Sequence, residues 1–176
     1  DPRLPTLRLD RAAALTGLNK SAEAEAELAE AVKERPSDLR AITAASDFYP
    51  ADPKTLDKAL EYAEKAVRLA PNSPAAKLLL ARVKKRMKNY DSAIAQIEAA
   101  IKLVPNWPPA YYALGATFEE KGDTAKAEAA YRKLVELQPK SSEALLTLAG
   151  FLADNAKPAD ALDFLIKLRE LNPPQA

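Results

Sequence analysis

A proline recurs along the chain at intervals of 34 or 35 residues, and an alanine lies twelve residues before each one. The prolines are Pro36, Pro71, Pro105, Pro139 and Pro173, and the alanines are Ala24, Ala59, Ala93, Ala127 and Ala161. A fixed period of this length is typical of proteins built from small stacked units, each of which buries apolar surface only against its neighbours. The sequence therefore predicts a repeat array.

Within each period the pattern predicts two helices joined by a turn. In the fourth period, apolar or small residues follow helical spacing in two stripes, which run through Tyr111, Leu114, Gly115, Phe118 and then Ala127, Tyr131, Leu134. Between the stripes, Gly122 suits a helix end and Asp123 can cap the next helix. The prolines thus define five predicted units, at residues 5–36, 39–71, 74–105, 108–139 and 142–173.

Composition narrows the class of protein. The chain has no histidine and no cysteine, so it offers no imidazole base, no thiol nucleophile and no common transition-metal ligand set. We therefore expect neither an enzyme nor a cofactor, and no small-molecule substrate. The absence of cysteine is compatible with a cytoplasmic or a periplasmic location. The net charge of +1 gives no reason to expect nucleic acid, and no apolar run is long enough for membrane insertion.

The spacing of these motifs resembles the tetratricopeptide repeat (TPR) family. Its motif of aromatic and small residues, then alanine and aromatic, then proline, is similar to the fourth unit at Tyr111, Leu114, Gly115, Phe118, Ala127, Tyr131 and Pro139. The resemblance implies an all-α fold, an α-solenoid of about five stacked helix-turn-helix units in a right-handed superhelix. It also implies a scaffold or adaptor that binds proteins or peptides.

Some units depart from the motif. The third has Lys77 and Lys84 where the family places aromatics, and the first has Arg8 and Arg11 on its expected buried stripe. One extra residue in the second unit is expected in the turn at Pro50 to Lys54. The chain begins without methionine, which suggests a processed protein or a segment of a longer one.

In the TPR family, the face of each first helix that points away from its own partner helix lines a concave groove. In this chain the equivalent positions combine apolar side chains with bordering charges, the composition of an interface with an apolar centre and a polar rim. We therefore predict that a partner peptide or helix binds there, at Thr43, Asp47, Leu78, Leu79, Arg82, Arg86, Tyr112, Ala116 and Leu146.

Two alternatives remain at this stage. The run from Arg82 to Lys88 makes the third unit basic and could bind an acidic segment or an RNA backbone, although cations at a helix end also suit the helix dipole. The second alternative is self-assembly into a homo-oligomer through uncapped solenoid ends, using apolar residues of the last helix such as Phe164, Leu165 and Leu168. The sequence does not name the partner.

Overall fold

A computed structural model describes residues 4–49, 53–155 and 157–171 of the chain. Within these ranges the chain forms ten α-helices and no strand, which confirms the all-α prediction. The helices are α1 (Leu4–Gly17), α2 (Ser21–Glu34), α3 (Leu39–Phe48), α4 (Pro53–Leu69), α5 (Pro74–Arg86), α6 (Tyr90–Leu103), α7 (Pro108–Lys121), α8 (Thr124–Leu137), α9 (Ser142–Asp154) and α10 (Pro158–Leu171). Residues 50–52 of the second unit's predicted turn, and Pro173, lie outside the described residues.

Capping groups lie at the helix ends, and the predicted ones at Gly122 and Asp123 are among them. The Ser73 side chain accepts a hydrogen bond from the Ala76 amide at the start of α5, where Pro74 is the first helical residue. The Asp123 side chain accepts from the Lys126 amide at the start of α8. Gly122 ends α7 with a φ of 87°, in the left-handed region that favours glycine. These groups satisfy amides and carbonyls that a helix leaves without partners at its ends.

The chain forms two compact blocks, an N-terminal block of residues 1–93 and a C-terminal block of residues 94–176. In the N-terminal block α1 packs on α2, α2 on α3, α3 on α4 and α4 on α5, around a core that includes Ile42 and Val83. In the C-terminal block α7, α8, α9 and α10 pack in the same sequential way, around Leu148 and Leu152. Each helix pair therefore depends on its neighbours for burial, as repeat units do.

Small residues lie where the helix axes approach closely. All five alanines of the repeat are buried. The buried Ser46 donates a 2.9 Å hydrogen bond to the Ala59 carbonyl, which joins α3 to α4. A Cβ atom added to Gly115 would lie 2.5 Å from Cε1 of Tyr131, so this position in α7 accepts no side chain without rearrangement. Paired helices thus approach closely through small residues in both blocks.

Basic residues on the predicted buried stripes take surface positions. Arg8 is half-buried and donates to Glu27 and Glu34 of α2, whereas Arg11 is exposed and forms a 2.9 Å ion pair with Glu27. The hydrogen bonds that Arg8 donates to Glu34 and to Glu27 raise the pKa of Arg8. In the third unit Lys77 and Lys84 are half-buried, as expected of long side chains that cover apolar surface while their charges stay in water.

No helix within the described ranges combines the length and the apolar character needed to cross a bilayer.

Candidate partner-binding surface

In the C-terminal block, α7 and α9 are the first helices of the fourth and fifth predicted repeat units. They leave one face open, and we call it the α7–α9 face. Both helices pack against α8 through their other sides, where Gly115 of α7 and Phe151 of α9 lie beside the ring of Tyr131. On the open side lie two large apolar side chains at the same repeat position, Tyr112 with 48% of its surface exposed and Leu146 with 51%. The α7–α9 face consists of Pro109, Tyr112, Ala116, Glu119, Glu120, Glu143, Leu146, Gly150, Ala153 and Asp154; Ala116 is half-buried and the others are exposed.

A buried tyrosine supports the centre of this face. The Tyr131 ring lies 6.4 Å from the Tyr112 ring and 5.3 Å from the Phe151 ring, so one side chain of α8 contacts aromatics of both α7 and α9. Its hydroxyl donates a 2.7 Å hydrogen bond to Oε2 of Glu119. Burial raises the pKa of Tyr131, and this hydrogen bond raises it further, so the phenol remains a neutral donor. The sequence placed Tyr131 in the repeat motif but gave no sign that it holds Glu119.

In the N-terminal block, Asp47 of α3 forms an ion pair with Arg82 of α5. Together with Thr43 and Leu78, which lie one helical turn earlier on the same two helices, this pair defines a second surface, the α3–α5 face. Thr43 and Leu78 are half-buried. Nη2 of Arg82 lies 2.8 Å from both carboxylate oxygens of Asp47, and both side chains are about half exposed. An exposed ion pair contributes only about 0 to 1 kcal/mol to stability, so this pair adds little to the stability of the fold.

Arg86 has a structural position that the sequence did not indicate. Its Nη1 donates a 2.6 Å hydrogen bond to the Tyr49 carbonyl, and Nη2 lies 3.4 Å from the Ser46 carbonyl. Both carbonyls belong to the end of α3, where helical carbonyls lack partners and a positive charge is favoured. Burial lowers the pKa of Arg86. Arg86 therefore fixes the end of α3, and its predicted contact with a partner stays a prediction.

Leu79 lies in the core, whereas the sequence pattern placed it on the partner-binding surface. Only 1% of its surface is exposed, and it packs in the core with Ile42 and Val83. Successive residues of an α-helix point about 100° apart, so Leu79 faces the core while its neighbour Leu78 reaches the surface. Of the two adjacent leucines in the predicted site, only Leu78 therefore reaches the surface.

The basic run is partly engaged within the protein. Arg82 is paired with Asp47, and Arg86 binds carbonyls at the end of α3. Lys88 follows α5 in the left-handed region, with a φ of 59°, and therefore belongs to the turn before α6. The run does not form one continuous row of available cations.

A shallow cleft of about 480 Å³ lies beside α8, and its lining is Thr124, Ala125, Glu128, Ala129, Arg132 and Lys157. Glu128 accepts hydrogen bonds from Arg132 and Lys157, so the charged groups at its edge already satisfy one another. Among the described residues, no group of three or more His, Cys, Asp or Glu side chains is arranged to hold a metal ion.

Two tetratricopeptide repeat family models match the sequence, one over residues 52–117 and the other over residues 108–141. Together the two matches span about half of the chain. The chain belongs to the tetratricopeptide repeat family. TPR proteins generally act as scaffolds for protein interactions. Comparison with curated protein sequences gives no match.

Several solved TPR structures have a similar fold. TTC0263 of Thermus thermophilus aligns with a TM-score of 0.74 and 19% identity, over 97% of this chain and 93% of that one. MamA from Desulfovibrio magneticus RS-1 aligns with a TM-score of 0.69 and 21% identity, over 96% and 94% of the two chains. YrrB, described as a TPR protein with an unusual peptide-binding site, aligns with a TM-score of 0.60 and 20% identity, over 96% and 86%. At these identities the similarity establishes the fold alone.

Proposed function

We propose that this TPR protein is a scaffold or adaptor that binds a peptide or helical segment of a partner protein along its first helices. The observation that carries the proposal is the exposure of Tyr112 and Leu146 at one repeat position of consecutive units. Burial of apolar surface contributes about 25 cal/mol per Å², and aromatic side chains are enriched among the residues that dominate interface energies. The α7–α9 face therefore offers the apolar centre of a binding surface.

The α3–α5 face supplies a second, more polar surface in this proposal. Thr43 and Leu78 would contact the partner's apolar atoms, and Asp47 and Arg82 its polar groups. On the α7–α9 face the short side chain of Ala116 leaves room beside Tyr112 for a partner backbone. The support comes from position in the repeat. Thr43 and Leu78 occupy the same repeat position as Tyr112 and Leu146, and Asp47, Arg82 and Ala116 share a second position.

The repeat architecture is part of the same proposal. The proline period supports five units at residues 5–36, 39–71, 74–105, 108–139 and 142–173, and the family resemblance supports a single right-handed array. A non-catalytic role follows from the same reasoning, because a chain without histidine or cysteine has few groups that act as base or nucleophile near neutral pH.

Anion or RNA-backbone binding through the third unit is less well supported, because both arginines of the basic run, Arg82 and Arg86, already bind groups within the protein. Self-assembly has one observation in its favour. On α10, Leu162 and Leu165 are 56% and 43% exposed, although Tyr131, the residue equivalent to Leu165 in the preceding unit, is buried. Light scattering across a concentration series tests it, since self-assembly requires a mass that rises with concentration and falls again in Leu162→Glu.

The proposed function is tested with peptides selected from a random library on the full chain, their affinities measured by fluorescence anisotropy. Replacing both apolar anchors, in the variant Tyr112→Ala/Leu146→Ala, should weaken binding about tenfold or more, because truncating a central anchor typically costs at least about 1 to 2 kcal/mol.

The matched control is Leu103→Ala/Leu162→Ala, which removes two exposed apolar side chains of the same block away from the face. It should bind as the unmodified protein does. Equal affinities for both double variants, or failure to select any peptide, would contradict the proposal.

A further inference from the structure

The charged side chains that α7 and α9 contribute to the α7–α9 face are all acidic. Four carboxylates lie on it, from Glu119 and Glu120 on α7 and from Glu143 and Asp154 on α9. The remaining charged residue of these two helices is Lys121. It follows Tyr112 by about two and a half helical turns and so points to the opposite side of α7. The apolar centre at Tyr112 and Leu146 is therefore bordered by negative charge.

Three of these carboxylates stand where the fold itself does not favour them. Glu119 and Glu120 lie in the last turn of α7, and Asp154 is the last residue of α9. The carbonyl end of a helix carries partial negative charge, so cations are preferred there and carboxylates are disfavoured. The helix ends and the side chains therefore add to one negative potential, which a positive group on a bound partner would relieve.

The carboxylates also lie close to the apolar centre. Glu119 accepts the hydrogen bond of Tyr131, whose ring packs beside Tyr112. Burial raises the pKa of Tyr131, and the charges of Glu119 and Glu120 raise it further, as expected of two anions near that ring. On α9, nothing lies within 4 Å of a Cβ atom built on Gly150, so a partner can approach that helix closely.

We infer that the α7–α9 face binds a cationic amphipathic segment of a partner protein. Its apolar side chains pack on Tyr112 and Leu146, and its lysines or arginines lie against Glu119, Glu120, Glu143 and Asp154. This inference rests on the proposed function and adds the chemistry of the partner. An acidic segment is disfavoured on this face because its charges would meet four carboxylates and two negative helix ends.

Two synthetic amphipathic peptides test the inference with the full chain. They share one pattern of leucines, and every polar position is lysine in one peptide and glutamate in the other. By fluorescence anisotropy at low ionic strength, the lysine peptide should bind about tenfold or more tightly than the glutamate peptide, and added salt should reduce the difference.

The test variant neutralises the face with Glu119→Gln, Glu120→Gln, Glu143→Gln and Asp154→Asn. Because each neutralised carboxylate removes one favourable charge contact with the peptide's lysines, this variant should bind the lysine peptide about tenfold more weakly. The control variant makes the same net charge change at exposed carboxylates of the same block outside the face, through Glu98→Gln, Glu136→Gln, Asp163→Asn and Glu170→Gln. It should retain most of the affinity.

The outcomes separate this inference from the proposed function, with Tyr112→Ala as the third variant. Equal loss in the test and control variants would mean that net charge alone attracts the peptide, and the inference would be wrong. Equal binding of both peptides, with Tyr112→Ala weakening both, would reject the cationic partner and keep the binding face. Failure of both peptides to bind, or binding that Tyr112→Ala leaves unchanged, would reject the face itself.

Discussion

At the scale of single residues, the contact between α7 and α8 depends on the absence of one side chain. Gly115 faces the ring of Tyr131, and three ring atoms lie within 2.9 Å of the place that a Cβ atom would occupy. Tyr131 has little freedom to move, since it also packs on Phe151 and binds Glu119. Gly115 is therefore required by a close approach between helices, although glycine is a poor helix former.

Gly115→Ala should lower the free energy of unfolding by about 1 to 3 kcal/mol, because the added methyl group overfills a packed contact. Gly150→Ala is the control, since it also lies inside a helix but faces open space. There the better helix propensity of alanine should raise stability by up to about 1 kcal/mol. Urea unfolding followed by circular dichroism measures both changes, and similar effects from the two substitutions would contradict the assigned contact.

At the scale of helices and turns, the turn between paired helices repeats one backbone conformation. Gly122 after α7, Lys88 after α5 and Asn19 after α1 all have positive φ, at 87°, 59° and 59°. Glycine adopts this conformation freely and asparagine tolerates it, but lysine has no such preference. The turn after α5 therefore carries strain that the turn after α7 lacks.

Lys88→Gly should raise the free energy of unfolding by about 0.5 to 1 kcal/mol, because it relieves the positive φ. Lys88→Ala removes the same charge and side chain but keeps a Cβ atom, so it should give no comparable gain. Thermal unfolding by calorimetry compares the two. A gain in the alanine variant equal to that in the glycine variant would show that the lysine side chain, and not backbone strain, causes the effect.

At the scale of the whole molecule, each block contains a carboxylate that joins successive units. In the N-terminal block, Glu25 accepts hydrogen bonds from Lys58, at 2.6 Å, and from the Tyr49 hydroxyl, at 2.9 Å. In the C-terminal block, Glu128 accepts from Lys157 and Arg132. These hydrogen bonds hold the pKa of each carboxyl below its ordinary value.

The lowered pKa values predict a loss of stability in acid. Such a carboxylate stabilises the fold fully above its unfolded pKa, about 4.3, and the stabilisation is lost as the pH falls through the lower folded pKa. Glu25→Gln/Glu128→Gln should therefore lower the melting temperature at about pH 7, and its difference from the unmodified protein should shrink by about pH 3.

The control for the acid experiment is Glu98→Gln/Glu170→Gln, which neutralises two exposed carboxylates. It should change the melting temperature at about pH 7 less than Glu25→Gln/Glu128→Gln does, because it leaves the hydrogen bonds of Glu25 and Glu128 in place. Calorimetric scans across the acid range measure all three proteins. A constant difference between the Glu25→Gln/Glu128→Gln variant and the unmodified protein would show that these carboxylates do not stabilise the fold through their charge.

The helices, their caps and the repeat family could be predicted from sequence, because helix spacing, capping and turn conformation depend on residues close together in the chain. The open positions of Tyr112 and Leu146 were predicted for the same reason, since helix register fixes which side of a helix each residue occupies. Leu79 was misassigned because two adjacent helical positions were both placed on the surface.

Only the tertiary structure decided which charged groups meet. Arg86 binds carbonyls of α3, about 40 residues earlier in the chain, and Tyr131 holds Glu119 from the facing helix. Such contacts depend on the distance and angle between packed helices, which residue spacing alone does not specify. The sequence therefore determined the helices and which side of each stays open. Their packing decided which arginine is structural and which carboxylate Tyr131 holds.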